Sequence, residues 1–203
     1  MGRSREAVRQ DQRDRLLDCA LQAIATSGYD GVRLRDIGDA AGVTTGMIQY
    51  YFNSRDELLT AAMQRLGLMQ IEAWMKLCET DDDPRRRLRG FIGPSQFRLT
   101  AAQQSAAWLQ FCAVSSRNDE LREVLKSVYR RWRELIEDTI RLGIERKVFH
   151  PVLPAAELAE ALILLLDGSE LGVGSGAGNL DSASTDVLTV SVIERLVGIT
   201  DES

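Results

Sequence analysis

One histidine, three cysteines and four prolines in 203 residues leave this chain little of the usual chemistry of catalysis and metal binding. The single His150 stands between Phe149 and Pro151, near a helix end. No metal-ligand cluster, nucleophile elbow or phosphate loop occurs, so an enzyme is not expected and no cofactor or metal is called for. Acids such as Glu134 and Asp138 share helical faces with arginines, the pattern of a solvated surface. The cysteines Cys19, Cys78 and Cys112 are odd in number, far apart and set in apolar helical patterns, as in a reducing compartment. No leader-like segment opens the chain, and position 6 is Glu6 where myristoylation wants Ser or Thr. The longest apolar run, Ala161 to Leu166, is far short of the roughly 20 residues a bilayer span needs. No membrane association is expected, and the expected location is the cytoplasm.

An excess of positive charge is also missing. The formal charge of −5 argues against a protein that coats nucleic acid indiscriminately, but leaves room for a DNA reader whose basic groups are local. Arg3, Arg5, Arg9, Arg13 and Arg15 crowd the start of the chain. They form either an arm that follows phosphates or, interleaved with Glu6, Asp11 and Asp14, a solvated helical face. Both possibilities stay open.

What is abundant is helix. Few prolines, many Ala, Leu, Arg and Glu, and no alternating β-branched run predict an all-α chain of about nine helices. The first spans about Glu6 to Ser27, with Leu16, Leu17, Ala20, Leu21 and Ile24 on one stripe, and Ser27-Gly28 and Asp30-Gly31 stop it. A short second helix, about Leu34 to Ala41, ends at Gly42, and Thr44 caps a third, about Thr45 to Phe52. Ser54-Arg55-Asp56-Glu57 is a capping box opening a long fourth helix. Beyond Thr80 the helices lengthen and become greasier. Asp83-Pro84 starts one that Gly93-Pro94 ends or kinks, and others fall near Thr100–Ser115, Asn118–Arg146, Pro154–Leu171 and Ser182–Val197. The expected division is a DNA-binding domain over 1–53 and a larger domain over 54–203. Gly172-x-Gly174-x-x-Ala177 superficially matches a dinucleotide fingerprint, but that needs a preceding strand. A flexible helix–helix connection is expected there instead.

Two short helices around a glycine turn, braced by a longer one, describe a helix-turn-helix, whose second helix enters the major groove of double-stranded DNA. The third helix suits that task. Thr44 and Thr45 place hydroxyls at its N-terminus, where free N–H groups also favour a phosphate. Gly46 costs about 1 kcal/mol of helix propensity and permits close backbone approach. Gln49 can pair bidentately with adenine, while Tyr50 and Tyr51 offer hydroxyls to phosphates and ring faces to thymine methyls. Ile37, Ala41, Val43, Ile48 and Phe52 are left to pack inward.

From Leu16 to Ala62 these residues resemble the TetR/AcrR transcriptional regulators. The resemblance lies in Gly28-Tyr29, Arg35-Asp36-Ile37, Ala41-Gly42-Val43, Thr45-Gly46, Tyr51-Phe52 and Ser54-Arg55-Asp56-Glu57-Leu58-Leu59. It implies DNA contacts from Arg33, Arg35, Thr44, Thr45, Gly46, Gln49, Tyr50, Tyr51 and Arg55. Three positions depart from the usual pattern. Gly38 replaces Ala, a small packing change. Gln49 replaces Tyr and alters base preference. Arg55 replaces Lys, retaining a charge for phosphate.

From Ala107 to Gly174 the chain resembles, more loosely, the regulatory half of a subgroup that includes the choline-responsive repressor of betaine synthesis. This implies a helical half that senses a small-molecule effector and forms a homodimer; it leaves the effector open. Trp74, Gln104, Trp108, Phe111, Cys112, Tyr129, Trp132 and Asp167 are the candidate cavity residues as a set, although any single one of them is better suited to ordinary core packing. The run Ala161 to Leu166 is apolar all round, and the last helix carries more than one apolar stripe. Leu162, Leu165, Leu166, Leu188, Ile193 and Leu196 are the candidate dimer contacts. The expected function is a ligand-responsive regulator binding a palindromic operator, most often a repressor in the family it resembles, with an activator or a regulator whose ligand promotes binding left open. The rival is a small-molecule carrier or enzyme that kept the fold without operator binding.

Overall fold

The computed structural model describes residues 5–92, 99–179 and 181–199, and among these it is helical with no strand. In chain order the helices are α1 (Arg5–Gly31), α2 (Leu34–Ala41), α3 (Thr45–Tyr51), α4 (Arg55–Thr80), α5 (Pro84–Gly90), α6 (Ala101–Ser115), α7 (Asp119–Glu145), α8 (Ala155–Ser175) and α9 (Ser182–Leu196). Their starts follow the capping residues. Thr44, Ser54, Asp83, Asn118 and Asp181 each accept a backbone N–H from the first turn, and Thr100 with Gln103 completes a reciprocal capping box.

α1, α2 and α3 form a small head around Leu16, Leu17, Ala20, Ile37, Ile48 and Phe52, all buried. The head is joined to the rest by two helices. α4 packs on α1 at one end and on α5 and α7 further along, while α6 packs on both α1 and α8. One continuous buried cluster therefore runs from the head into the larger half.

Three elements differ from expectation. Gly28 does interrupt α1, with φ 69° and ψ 162°, yet helical turns resume through Gly31. α5 ends at Gly90, ahead of Gly93-Pro94, which lies outside the described residues, as does Arg3. The glycine-rich stretch is mostly helix: α8 continues to Ser175 and closes at Gly176 in the left-handed region. The reason is a close helix crossing. A Cβ on Gly174 would lie 2.6–2.8 Å from backbone atoms of Ser105 and Ala106, so only glycine lets α8 approach α6 there.

Candidate nucleic-acid interface and aromatic cavity

The turn between α2 and α3 is fixed by short-range chemistry. Gly42 adopts φ 67° and closes α2 on the carbonyls of Gly38 and Asp39. Thr44 Oγ1 accepts the Met47 N–H at 3.2 Å and opens α3. With Ile48 and Phe52 buried beneath, α3 presents Thr44, Thr45, Gly46, Gln49 and Tyr50 to solvent, and Tyr51 is half-buried. Arg33 and Arg35 are exposed beside them. The polar and aromatic residues expected at DNA thus share one accessible edge. Gly38 is less permissive than a small packing change implies, because a Cβ there would stand 2.8 Å from the Val43 carbonyl oxygen.

α1 adds cations that the sequence left undecided. The Arg9 guanidinium lies 5.7 Å from the Tyr50 ring centroid and that of Arg13 lies 5.2 Å from Phe52. These arginines therefore flank α3; their i,i+4 spacing was the available signal. Arg55 is placed differently from the phosphate-contacting role expected of it. Its Nε donates to the Val32 carbonyl at 2.7 Å, its Nη2 to the Tyr29 carbonyl, and its Nη1 pairs with Asp56 at 2.6 Å. The guanidinium also stacks over Tyr29 at 5.2 Å. A lysine could not fork to two carbonyls in this way.

Between α4, α6, α7 and α8 lies a cavity of about 80 Å³. Its walls include Trp74, Gln104, Trp108, Trp132 and Asp167 from the expected set, together with Gln70, Phe91, Glu170 and Asp186, which were not anticipated. Glu170 was readable, since it follows Asp167 by three residues on one helical face. Asp186, on a different helix, gave no such signal. The indoles form a cluster: Trp108 and Trp132 centroids are 4.9 Å apart, Trp74 and Trp132 5.2 Å, and Phe91 sits 4.7 Å from Trp74.

Asp167 is held by neutral donors, the Tyr129 hydroxyl at 2.6 Å and Trp108 Nε1 at 3.4 Å. Burial pushes its carboxyl above the ordinary range, against the opposing pull of those two hydrogen bonds. Burial likewise raises Glu170 and Asp186. Tyr129 is raised by burial and by Asp167, so it stays a protonated donor. Trp74 and Trp132, each over nine-tenths buried, have indole N–H groups without a hydrogen-bond partner among the described residues, as has Glu170 Oε2. Aromatic rings beside carboxylates are groups of the kind that attract a cation.

Three expected cavity residues stand off the wall. Phe111 is wholly buried behind Trp108, edge-on at 5.5 Å. Cys112, its thiol pushed up to about 11 chiefly by burial, and Tyr129, which donates to Asp167, are not among the lining residues. A second cavity of about 130 Å³ adjoins the first and shares Ile92, Gln104, Ser169, Glu170 and Asp186 with it.

The candidate dimer contacts divide. Leu162 and Ile193 are 1% and 2% exposed inside the single chain, so packing within the chain uses them and they have no face for another copy. Leu165 and Leu166 are half-buried, Leu166 against the cavity, whereas Leu188 and Leu196 are exposed. Leu164, Leu171 and Val187 are further exposed apolar residues on the same two helices, outside the candidate contacts.

Residues 16–62 match the family model for bacterial regulatory proteins of the tetR family, and residues 84–198 match that for the BetI-type transcriptional repressor, C-terminal. The HTH-type transcriptional regulator BetI of Rhizobium meliloti (strain 1021) is 32% identical over 162 residues, covering 77% of this chain and 75% of its own length. The BetI regulator of Burkholderia cenocepacia (strain HI2424) is 26% identical over 192 residues, covering 94% of this chain and 96% of its own. A protein of Saccharomonospora viridis, described as a transcriptional regulator and solved in complex with choline, superposes with a TM-score of 0.77 at 29% identity, over 91% of this chain and 96% of that one. With the head and the cavity-bearing half both matched along one chain, the protein belongs to the TetR family of transcriptional regulators, with a C-terminal half of the BetI type.

Proposed function

We propose that this chain is a repressor that binds a palindromic operator as a homodimer and leaves it when a cationic ammonium compound such as choline fills the aromatic cavity. One observation carries the effector class: Trp74, Trp108 and Trp132 wall a cavity whose polar floor is Asp167. Each ring face under an ammonium contributes about 0.5–2 kcal/mol, and a desolvated carboxylate adds a Coulombic attraction. Choline in the Saccharomonospora viridis protein supports the same class. The exposed edge of α3, flanked by Arg9, Arg33 and Arg35, supports groove reading, with residues 1–53 as the DNA-binding part and 54–203 as the sensing and dimerising part. The exposed leucines of α8 and α9 support a two-fold pair, which would set two α3 helices roughly 34–36 Å apart on one face of DNA. The effector acts by binding more tightly to the arrangement that does not fit DNA.

A mobility-shift titration with the DNA upstream of the protein's own reading frame tests the DNA part. Saturable binding that weakens steeply with salt is expected. Binding without sequence preference at any salt would instead favour a carrier that kept the fold.

A further inference from the structure

Resting on that function, we infer that Gln110 is a positioning residue that couples the cavity to the DNA-reading head through α6. The break at Gly28 leaves the Tyr29 N–H pointing away from the helix, and Gln110 Oε1 of α6 accepts it at 3.2 Å. On the other side, Arg55 of α4 takes the Tyr29 and Val32 carbonyls. The segment Tyr29–Val32, which feeds directly into α2, is therefore held on its N–H side by α6 and on its C=O side by α4. An ion pair between Arg117 and Asp30 at 2.8 Å adds a second, exposed tie from α6's end.

The two holding helices differ in how far they stand from the cavity. Along α4, Arg55 is about 16 Å of helix, at 1.5 Å per residue, from Leu66, the cavity residue nearest to it on that helix. Along α6, Gln110 lies only about 3 Å beyond Trp108 and about 9 Å beyond Gln104, both cavity residues. Trp108 and Gln110 are two residues apart, about 200° around the helix, so α6 shows one to the cavity and the other to α1. A rotation or shift of α6 imposed at Trp108 reaches Tyr29 with no packing layer between. Tyr29 is itself buried, so the segment cannot follow by sliding over solvent.

The test separates coupling from binding. Gln110→Leu removes the acceptor and keeps the bulk; Gln110→Glu keeps an acceptor. Choline is titrated by calorimetry, and the affinity for the upstream DNA fragment is measured by fluorescence polarisation with and without saturating choline. Gln110→Leu should bind choline and DNA separately within about threefold of wild type. The factor by which choline weakens DNA binding, typically about 5–150-fold in coupled systems, should fall below about twofold. Gln110→Glu should retain it. Full coupling in Gln110→Leu overturns the inference. If wild-type DNA binding ignores choline, the proposed effector is wrong, and amide hydrogen exchange decides the joint without it. Trp108→Ala should then speed exchange at Tyr29–Val32, and adding Gln110→Leu should produce no further increase. Unchanged exchange in Trp108→Ala overturns the inference independently.

Discussion

Replacing Asp167 by asparagine removes one charge from the cavity while nearly preserving its shape, so ligand affinity should fall while stability hardly changes. A cation about 5 Å from the carboxylate, at an effective dielectric constant of about 20, is attracted by roughly 3 kcal/mol. Asp167 is only half-buried, so screening reduces this to about 1.5–3 kcal/mol, or a roughly 10–100-fold weaker choline Kd by calorimetry. The apoprotein should barely notice. In Asp167→Asn the side-chain amide oxygen can still accept one of the two bonds now made by Tyr129 and Trp108, losing about 1 kcal/mol. Against that stands relief from burying a carboxylate whose pKa is already raised. The net Tm change should stay within about 3 °C. A choline affinity within twofold of wild type would refute the cation-binding role of Asp167. A Tm loss of roughly 10 °C would mark it as a structural residue instead.

Gln49→Ala should cost about 1–3 kcal/mol at one base step and little elsewhere, read by polarisation against a panel of single-step operator variants; uniform loss across the panel would make Gln49 a backbone contact. Leu188→Glu places a charge at an exposed apolar position, so sedimentation should show a folded monomer with much weakened DNA binding. An unchanged dimer would remove Leu188 from the proposed interface. Choline affinity should fall as the solution is acidified. Burial raises Asp167, Glu170 and Asp186, a bound cation lowers them, and affinity is therefore lost as pH drops through their raised free-state values. Affinity that rises on acidification would contradict this sign.

The head was legible in the sequence because its signals are local. Gly42 and Thr44 close one helix and open the next within three residues, and the buried positions Ile37, Ile48 and Phe52 leave the other side of α3 as the exposed edge. What escaped notice depends on contacts between distant residues. Arg55 carries the charge expected at a phosphate, yet its partners are carbonyls 23 and 26 residues earlier, which no spacing rule connects. Gln110 and Tyr29 are 81 residues apart. The cavity was half legible for the same reason: bulky aromatics on successive helices signalled a cluster, whereas the contribution of Asp186 depends on where α9 docks. Leu162 and Ile193 show the converse. An all-apolar helix does not say which leucines serve the chain's own core, and here Leu164 and Leu188 point outward instead.

The most direct test of the whole account is the affinity of the wild-type protein for the upstream duplex, measured by fluorescence polarisation across a salt series with and without millimolar choline. Binding should be saturable, weaken steeply as salt rises and be weakened further by choline, with Asp167→Asn blunting only the choline effect. Saturable binding that is indifferent to choline in both proteins, or no saturable binding at any salt, would contradict it.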